Sequence, residues 1–303
     1  MRYVIFIFFA AALTGAVTFW NDHVTRTPDM PSVRGMGNSA KPDPFDGLEI
    51  AARAAYVFDA RTERILYEKE SELQFPLASL AKVMSALVAR DIAPDAVVII
   101  SGEALAAEGD SGLLKNERWR LSDLTDFTLM TSSNDGARAL ASVGTLSADE
   151  DRELAPTFID RMNEKARALG MAQTFFLNET GLDEGSGLSG AYGSAKDVAT
   201  LFTHIVRTKP DLLRATTQER LKISSFDAAH TATNTNSIAR HIPGLIASKT
   251  GLTDLAGGNL AIAFEAGPLR PIIIVVLGST EEGRFQDMEA LVHASIVTIA
   301  TGN

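Results

Sequence analysis

The stretch FPLASLAKVMSALVAR, residues 75–90, predicts a helix that is apolar on nearly every face. A helix of this kind is normally buried, so we expect it to lie at the centre of the fold. Between Leu77 and Ala89 the only ionised side chain is Lys82, which follows Ser79 by three residues and shares its helical face. Lys82 either reaches solvent at the helix edge or opens onto a cleft beside a hydroxyl.

Burial of Lys82 would have a chemical consequence. Removal from water disfavours the ammonium form, lowers its pKa and makes the neutral amine available near neutral pH. A neutral amine within reach of a hydroxyl is a general base for a serine nucleophile. The stretch alone leaves both interpretations of Lys82 open.

Composition excludes several classes of function. The 303 residues are 46% hydrophobic and 22% charged, as in ordinary folded proteins. The net charge is 28 − 38 = −10 and no basic run occurs, so we expect no nucleic-acid partner. The lack of cysteine excludes disulfides, thiolate metal sites and cysteine nucleophiles. No two of the five histidines have helical metal-ligand spacing, so we predict no metal site.

The N-terminus predicts a membrane or export segment. After Arg2, residues 3–20 are uncharged and mostly apolar, close to the shortest length that spans a bilayer. Residues 1–20 are therefore predicted to be a membrane anchor or a cleaved signal peptide. If Arg2 stays on the cytoplasmic side, the rest of the chain lies in the cell envelope, on the periplasmic or extracytoplasmic side. An uncleaved segment would tether it to the inner membrane. Residues 21–48 are predicted to be a flexible linker because they are rich in turn residues without hydrophobic period.

The remainder, residues 49–303, is predicted to be one domain of the α+β class. Helical spacing over residues 121–144 is broken near Ser132–Asn134. The other predicted helices cover 147–170, 193–208 and 281–300, and the predicted strands flank a turn at 59–62 or cover 96–100, 245–252, 257–266 and 270–279. We expect an antiparallel sheet built from both chain ends and covered by helices, with an inserted, mainly helical region.

Three short motifs, each of which occurs once, carry the chemistry. They are Ser-x-x-Lys at 79–82, Ser-x-Asn at 132–134 and Lys-Thr-Gly at 249–251. The first lies on the apolar helix, the second at the break between two helical segments and the third on a predicted strand. Each is weak alone, but the ordered set is typical of penicillin-binding proteins and class A β-lactamases.

With these motifs the chain resembles the low-molecular-mass penicillin-binding proteins, the serine D-alanyl-D-alanine carboxypeptidase family, over about residues 49–300. The stretches GDSGLLKNERWRLSDLTDFTLMTSSNDGARALA, FLNETGLDEGSGLSGAYGSAKDVATLF and IPGLIASKTGLTDLAGGNLAIAF are similar to that family's surroundings of its motifs. The resemblance implies a penicillin-binding protein or β-lactamase-like fold, with residues 49–303 as a transpeptidase-like catalytic domain.

The resemblance also implies an activity: a carboxypeptidase that acts on peptidoglycan stem peptides ending in D-Ala-D-Ala, with β-lactams as inhibitors. Ser79 would attack the carbonyl of the penultimate D-alanine and form an acyl-enzyme, with Lys82 as the base. Ser132 would bridge Lys82 and Lys249 and pass a proton to the leaving amine. This acyl-enzyme chemistry implies no cofactor.

The same resemblance assigns binding roles. Asn134 would bond the substrate amide and help to hold Lys82, while Lys249 and Thr250 would meet the terminal carboxylate. Gly251 would be glycine because substrate backbone lies against its strand.

Two further assignments concern backbone amides and one arginine. The amides of Ser79 and Leu252 would form the oxyanion hole. Arg284 would either add a second positive contact to the carboxylate or be a solvated arginine beside Glu281 and Glu282.

Three other functions remain as alternatives. The first is a D,D-endopeptidase, because some members of the family cut peptide cross-bridges. A β-lactamase would need a glutamate for deacylation, and Glu179-x-x-Leu182-Asp183 differs from that family's pattern by Asp in place of Asn. A non-catalytic penicillin sensor is the third.

Overall fold

The computed structural model describes residues 43–109, 112–145 and 156–302. The predicted membrane segment at 1–20 and all but the last six residues of the predicted linker at 21–48 lie outside the described residues. Phe45, within those last six, packs on Tyr67 with ring centroids 5.4 Å apart. In the part of the chain that is described, none of the helices combines the length and the apolar character needed to cross a membrane.

Strands lie toward both ends of the described chain, and most helices lie between them. The strands are β1 (Ala54–Asp59), β2 (Arg64–Lys69), β3 (Phe75–Pro76), β4 (Val97–Ile99), β5 (Arg118–Arg120), β6 (Phe175–Phe176), β7 (Asp183–Gly185), β8 (Leu188–Ser189), β9 (Ala191–Gly193), β10 (Arg220–Ser224), β11 (Ala229–Thr233), β12 (Leu245–Thr253), β13 (Gly257–Glu265) and β14 (Pro271–Ser279). The α-helices are α1 (Ala81–Ile92), α2 (Leu121–Thr131), α3 (Asn134–Ala141), α4 (Phe158–Ala168), α5 (Ala195–Thr208) and α6 (Gly283–Thr301). Short 3-10 turns cover Ala78–Leu80, Ala104–Ala106, Ser142–Thr145 and Pro210–Thr217.

The central sheet joins both ends of the domain, as predicted. Its strand order is β12-β13-β14-β1-β2, and each neighbouring pair is antiparallel. Val275 on β14 lies opposite Tyr56 on β1 and opposite Ala261 on β13. Alternate residues of these strands enter two different cores, one shared with α1 and α5 and the other with α6. Because both faces are covered, β13 and β14 are almost continuously apolar.

The predicted apolar helix is α1, and it is buried as expected. Every residue from Ala81 to Ala89 is buried. The 3-10 turn Ala78–Leu80 leads into it, and Ala78 has a left-handed backbone with φ +49°. The predicted break in the second helical stretch is also confirmed, since α2 ends before Ser132, which has φ +59°. The Ser133 hydroxyl then caps α3 by accepting from the Gly136 amide at 2.8 Å.

One local expectation needs correction, and one hairpin was not expected. The helix predicted over 147–170 begins at Phe158 in the structure, and most of its predicted first part lies outside the described residues. Thr157 sets that start because its side chain and that of Asp160 form a reciprocal capping box. The β10–β11 hairpin was not predicted at all, because its strands carry mostly exposed or half-buried polar residues with one buried position each.

Candidate active site

The turn that carries Ser79 lies against two glycines. A Cβ atom on Gly181 would lie 1.9 Å from the carbonyl oxygen of Ala78, and one on Gly251 would lie 2.8 Å from that of Leu77. Neither distance is compatible with a side chain. The Leu77 carbonyl oxygen gives Gly251 a reason of its own to lack a side chain, and the expected contact with substrate backbone stays a prediction. The two glycines bring the β12 strand and the loop at 178–182 into contact with the nucleophile turn.

Lys82 is buried beside the half-buried Ser79. The Lys82 side chain is 0% exposed, so the solvent-reaching interpretation is wrong. Its Nζ atom lies 2.8 Å from Ser79 Oγ and donates to the carbonyl oxygen of Thr180 at 2.7 Å. Burial lowers the pKa of Lys82 to about 7, although the negative charge of Glu179 acts in the opposite direction. Near neutral pH a large fraction of Lys82 is therefore neutral amine.

A second buried lysine approaches from the sheet. Lys249 Nζ donates to Ser132 Oγ at 2.8 Å and to the carbonyl oxygen of Thr250 at 2.8 Å. Burial, Lys82 and Arg284 together hold the pKa of Lys249 well below its ordinary value. Half of the bridge expected of Ser132 is thus present, while among the described residues no direct bond joins Ser132 to Lys82.

Asn134 takes a different partner from the one expected. Its Nδ2 atom donates to the carbonyl oxygen of Glu108 at 2.7 Å, so its amide faces the loop before residue 110. Lys82 is held by Thr180 instead. Asn134 stands at the first position of α3, next to Ser133, and remains half-buried at the edge of the site.

The edge strand β12 of the central sheet carries the remaining motif residues. Thr250 is buried, and its hydroxyl lies 2.6 Å from that of Thr235. Thr235 is exposed, and its backbone amide donates to the Met130 carbonyl, close to Ser132. Sequence reasoning missed both Thr235 and Thr180, because each belongs to a loop whose partner is distant in sequence. Leu252 follows at the edge of the strand, with 42% of its surface exposed.

Arg284 lies beside the motif strand and is not a solvated arginine. Only 7% of its surface is exposed, and its Nη1 atom donates to the carbonyl oxygen of Gly251 at 2.8 Å. Burial lowers its pKa, against the opposing charges of Glu281 and Glu282. Its Nε atom has no hydrogen-bond partner among the described residues. A cation beside the motif strand is suited to an anionic group.

The segment considered as a β-lactamase signature has structural partners of its own. The Glu179 carboxylate lies 3.7 Å from Arg138, and its backbone carbonyl accepts from Ser85. Asp183 accepts from the Thr253 hydroxyl at 3.1 Å and so ties this loop to the end of β12. Within residues 43–109, 112–145 and 156–302 there is no group of three His, Asp or Glu side chains arranged to hold a metal ion.

These groups together can perform nucleophilic acyl transfer. They comprise a half-buried hydroxyl, a buried amine with a pKa near 7 bonded to it, and a second hydroxyl bonded to a second buried amine. The cationic Arg284, next to the Lys249 strand, favours an anionic ligand.

Comparison with known proteins agrees with this geometry. The sequence profile of the family described as D-alanyl-D-alanine carboxypeptidase matches residues 37–281. The chain is 28% identical over 254 residues to D-alanyl-D-alanine carboxypeptidase DacF of Bacillus subtilis, a match that covers 81% of this chain and 62% of that protein. It is also 28% identical over 255 residues to a D-alanyl-D-alanine endopeptidase of Pseudomonas aeruginosa, with 79% and 77% covered.

A solved structure is similar throughout its length. Penicillin-binding protein D2 of Listeria monocytogenes, in its ampicillin-bound form, superposes with a TM-score of 0.69 at 28% identity. The match covers 82% of this chain and 98% of that one. The described fold is therefore that of a penicillin-binding protein.

Proposed function

Because this chain belongs to the D-alanyl-D-alanine carboxypeptidase family, we propose that it removes the terminal D-alanine from peptidoglycan stem peptides through an acyl-enzyme on Ser79. The observation that carries the proposal is the 2.8 Å contact between Ser79 Oγ and a buried Lys82 whose pKa is about 7. A hydroxyl is a weak nucleophile until a neighbouring base accepts its proton.

In the first step, Ser79 Oγ attacks the carbonyl carbon of the penultimate D-alanine while its proton passes to the neutral Lys82 amine. The oxygen that becomes negative is stabilised by the amides of Ser79 and Leu252. Ser79 lies in the first turn of a helical segment, where amides lack partners, and Leu252 lies on the edge strand β12. The peptide C–N bond then breaks, and a proton that originates from Lys82 reaches the leaving amine through Ser132. Water hydrolyses the resulting ester and regenerates Ser79.

The terminal carboxylate is bound by positive charge at the β12 edge. We assign Lys249, Thr250 and Arg284 to this carboxylate, and the bond from Arg284 to the Gly251 carbonyl oxygen, which keeps the guanidinium beside the motif strand, supports the assignment. A carboxylate beside Lys249 raises the pKa of this lysine again, because an opposite charge favours the ammonium form. Asn134 bonds the substrate amide from the other side of the cleft.

β-Lactams acylate the same serine in this proposal and inhibit the enzyme. The ampicillin-bound form of the Listeria protein, at 28% identity, supports it. The enzyme acts in the cell envelope on the periplasmic or extracytoplasmic side, with residues 1–20 as anchor or signal peptide, residues 21–48 as linker and residues 49–303 as the catalytic domain. The apolar run after Arg2 supports this arrangement.

A D,D-endopeptidase is the second candidate, because the chain is as similar to the Pseudomonas endopeptidase as to the Bacillus carboxypeptidase, at 28% identity in each case. The two activities use the same chemistry on different bonds. The two activities are distinguished by incubating the purified protein with a stem pentapeptide ending in D-Ala-D-Ala and, in a second reaction, with a cross-linked peptide dimer.

We expect release of D-alanine from the pentapeptide and none from the Ser79→Ala variant. Cleavage of the dimer alone would replace the carboxypeptidase with the endopeptidase. Rapid turnover of penicillin would favour a β-lactamase, and a long-lived penicillin adduct without cleavage of either peptide would favour a sensor.

A further inference from the structure

Asn259 is a fully buried polar side chain outside the three motifs. It lies on β13, opposite Gly251 on β12, and is 0% exposed. Its Nδ2 atom donates to the carbonyl oxygens of Pro76 at 3.0 Å and Leu77 at 3.1 Å. Its Oδ1 atom accepts from the Gly278 amide on β14 at 2.8 Å. One side chain thus connects two strands of the central sheet to the residues that lead into the nucleophile turn.

All the hydrogen-bonding groups of the Asn259 amide are used. A buried amide is costly unless it is satisfied, and few side chains fit here. Aspartate has the same shape but offers no donor for the two carbonyls, and leucine offers neither donor nor acceptor. Since the residues that follow on β13, from Leu260 to Phe264, are all buried and apolar, the polar side chain at 259 needs a specific explanation.

The turn that Asn259 holds is a strained one. Ala78 follows Leu77 directly and has φ +49°, a region that residues with a Cβ atom rarely adopt. Such a conformation persists only where its surroundings fix it. Asn259 bonds the Leu77 carbonyl from one side, and Gly251 leaves space for the same carbonyl on the neighbouring strand.

We propose that Asn259 is a positioning residue for the nucleophile. It fixes the nucleophile turn against β12, so that the amides of Ser79 and Leu252 point at one oxygen atom. This inference rests on the proposed function, because it assumes an acyl transfer at Ser79. Asn259 itself touches neither substrate nor reacting atoms.

The effect of a positioning residue differs from that of a binding residue. Oxyanion donors act on charge that develops in the transition state and contribute little to ground-state binding. A shift of the nucleophile turn should therefore slow acylation, while the affinity of the complex that precedes the covalent step changes little. A side chain that merely stabilises the fold would lower the melting temperature without slowing acylation by folded protein.

The test measures acylation by a fluorescent penicillin at several concentrations, which separates the acylation rate constant from the dissociation constant of the preceding complex. The variants are Asn259→Asp, which keeps the shape, and Asn259→Ser, which leaves room for water. The control is Asp59→Asn, because Asp59 is also fully buried in the sheet and bonds the Arg61 amide and the Arg270 side chain. It lies opposite Ile272, at the sheet end away from Gly251.

We expect both Asn259 variants to be folded and their acylation rate constant to fall about 10- to 100-fold, with a dissociation constant within about threefold of wild type. Asp59→Asn should lower the melting temperature and acylate at the wild-type rate. The inference is overturned if folded Asn259 variants acylate normally, if only affinity changes, or if both fail to fold. Absence of acylation in the wild-type protein would instead refute the proposed function.

Discussion

Lys82 Nζ lies 2.8 Å from Ser79 Oγ and 2.7 Å from the carbonyl oxygen of Thr180. A neutral amine has two hydrogens and one lone pair. Because the Thr180 carbonyl can only accept, it takes one of the hydrogens and leaves the lone pair able to face the Ser79 hydroxyl. The arrangement therefore allows the neutral Lys82 amine to accept the Ser79 proton when the hydroxyl attacks.

The first prediction concerns the pH dependence of acylation. Burial lowers the pKa of Lys82 to about 7, and the base must be unprotonated. The acylation rate constant should rise about tenfold for each pH unit below about 7 and level off above it. Penicillin acylation measured across this range checks the prediction. An acylation rate constant that does not change between about pH 5 and about pH 8 would show that Lys82 is not the base.

The second prediction concerns the stability cost of Lys82. Its pKa is about 7 in the folded protein against 10.5 for the ordinary side chain, so the unfolded chain binds more protons between these values. Wild-type stability should therefore rise with pH through this window. Lys82→Met should be inactive, and its stability relative to wild type should be greatest near pH 7 and decline toward pH 10. Denaturant unfolding of both proteins at several pH values measures this difference, and a constant difference would contradict it.

The third prediction separates the hydroxyl of Ser132 from its backbone. Ser132 has φ +59°, which glycine adopts without strain. Both Ser132→Gly and Ser132→Ala lose the bond from Lys249, but Ser132→Gly should be the more stable of the two because it relieves the backbone strain. Both should lose turnover of the peptide by about 10²-fold or more, as expected when a proton relay is removed. Normal turnover in a folded Ser132→Gly protein would exclude the relay.

The fourth prediction concerns Arg284 and the substrate carboxylate. Wild-type enzyme should strongly prefer a peptide with a free C-terminus over the same peptide with an amidated one. Arg284→Lys keeps a charge but loses the planar set of donors, so this preference should shrink by about 10-fold. The ratio of kcat/KM values for the two peptides is the measurement. An unchanged ratio in the folded variant would place Arg284 in a purely structural role.

Much of the fold was predictable because its strongest signals are local. The apolar α1 helix, the break at Ser132 and the last three strands all follow from hydrophobic pattern and turn residues. The β10–β11 hairpin was not predictable, because β10 buries only Ile223 and β11 buries only Ala232.

The site was predictable only as far as its motifs. The contact of Lys82 with Ser79 follows from helical spacing, but the backbone carbonyl of Thr180 carries no sequence signal. Gly251 was identified from its motif, but the Leu77 carbonyl that also excludes a side chain there is distant in sequence and carries no local signal. In the sequence, Asn259 is an ordinary residue of the strand that follows the third motif. Only the tertiary structure reveals its bonds to the nucleophile turn.

The most direct test of the account is the site of acylation by ampicillin, mapped by mass spectrometry of the digested protein. One adduct should appear, on the peptide that contains Ser79, and it should be absent from Ser79→Ala and strongly reduced in Lys82→Met at neutral pH. An adduct on another residue, or labelling that persists in a folded Ser79→Ala protein, would contradict the central claim that Ser79 is the nucleophile.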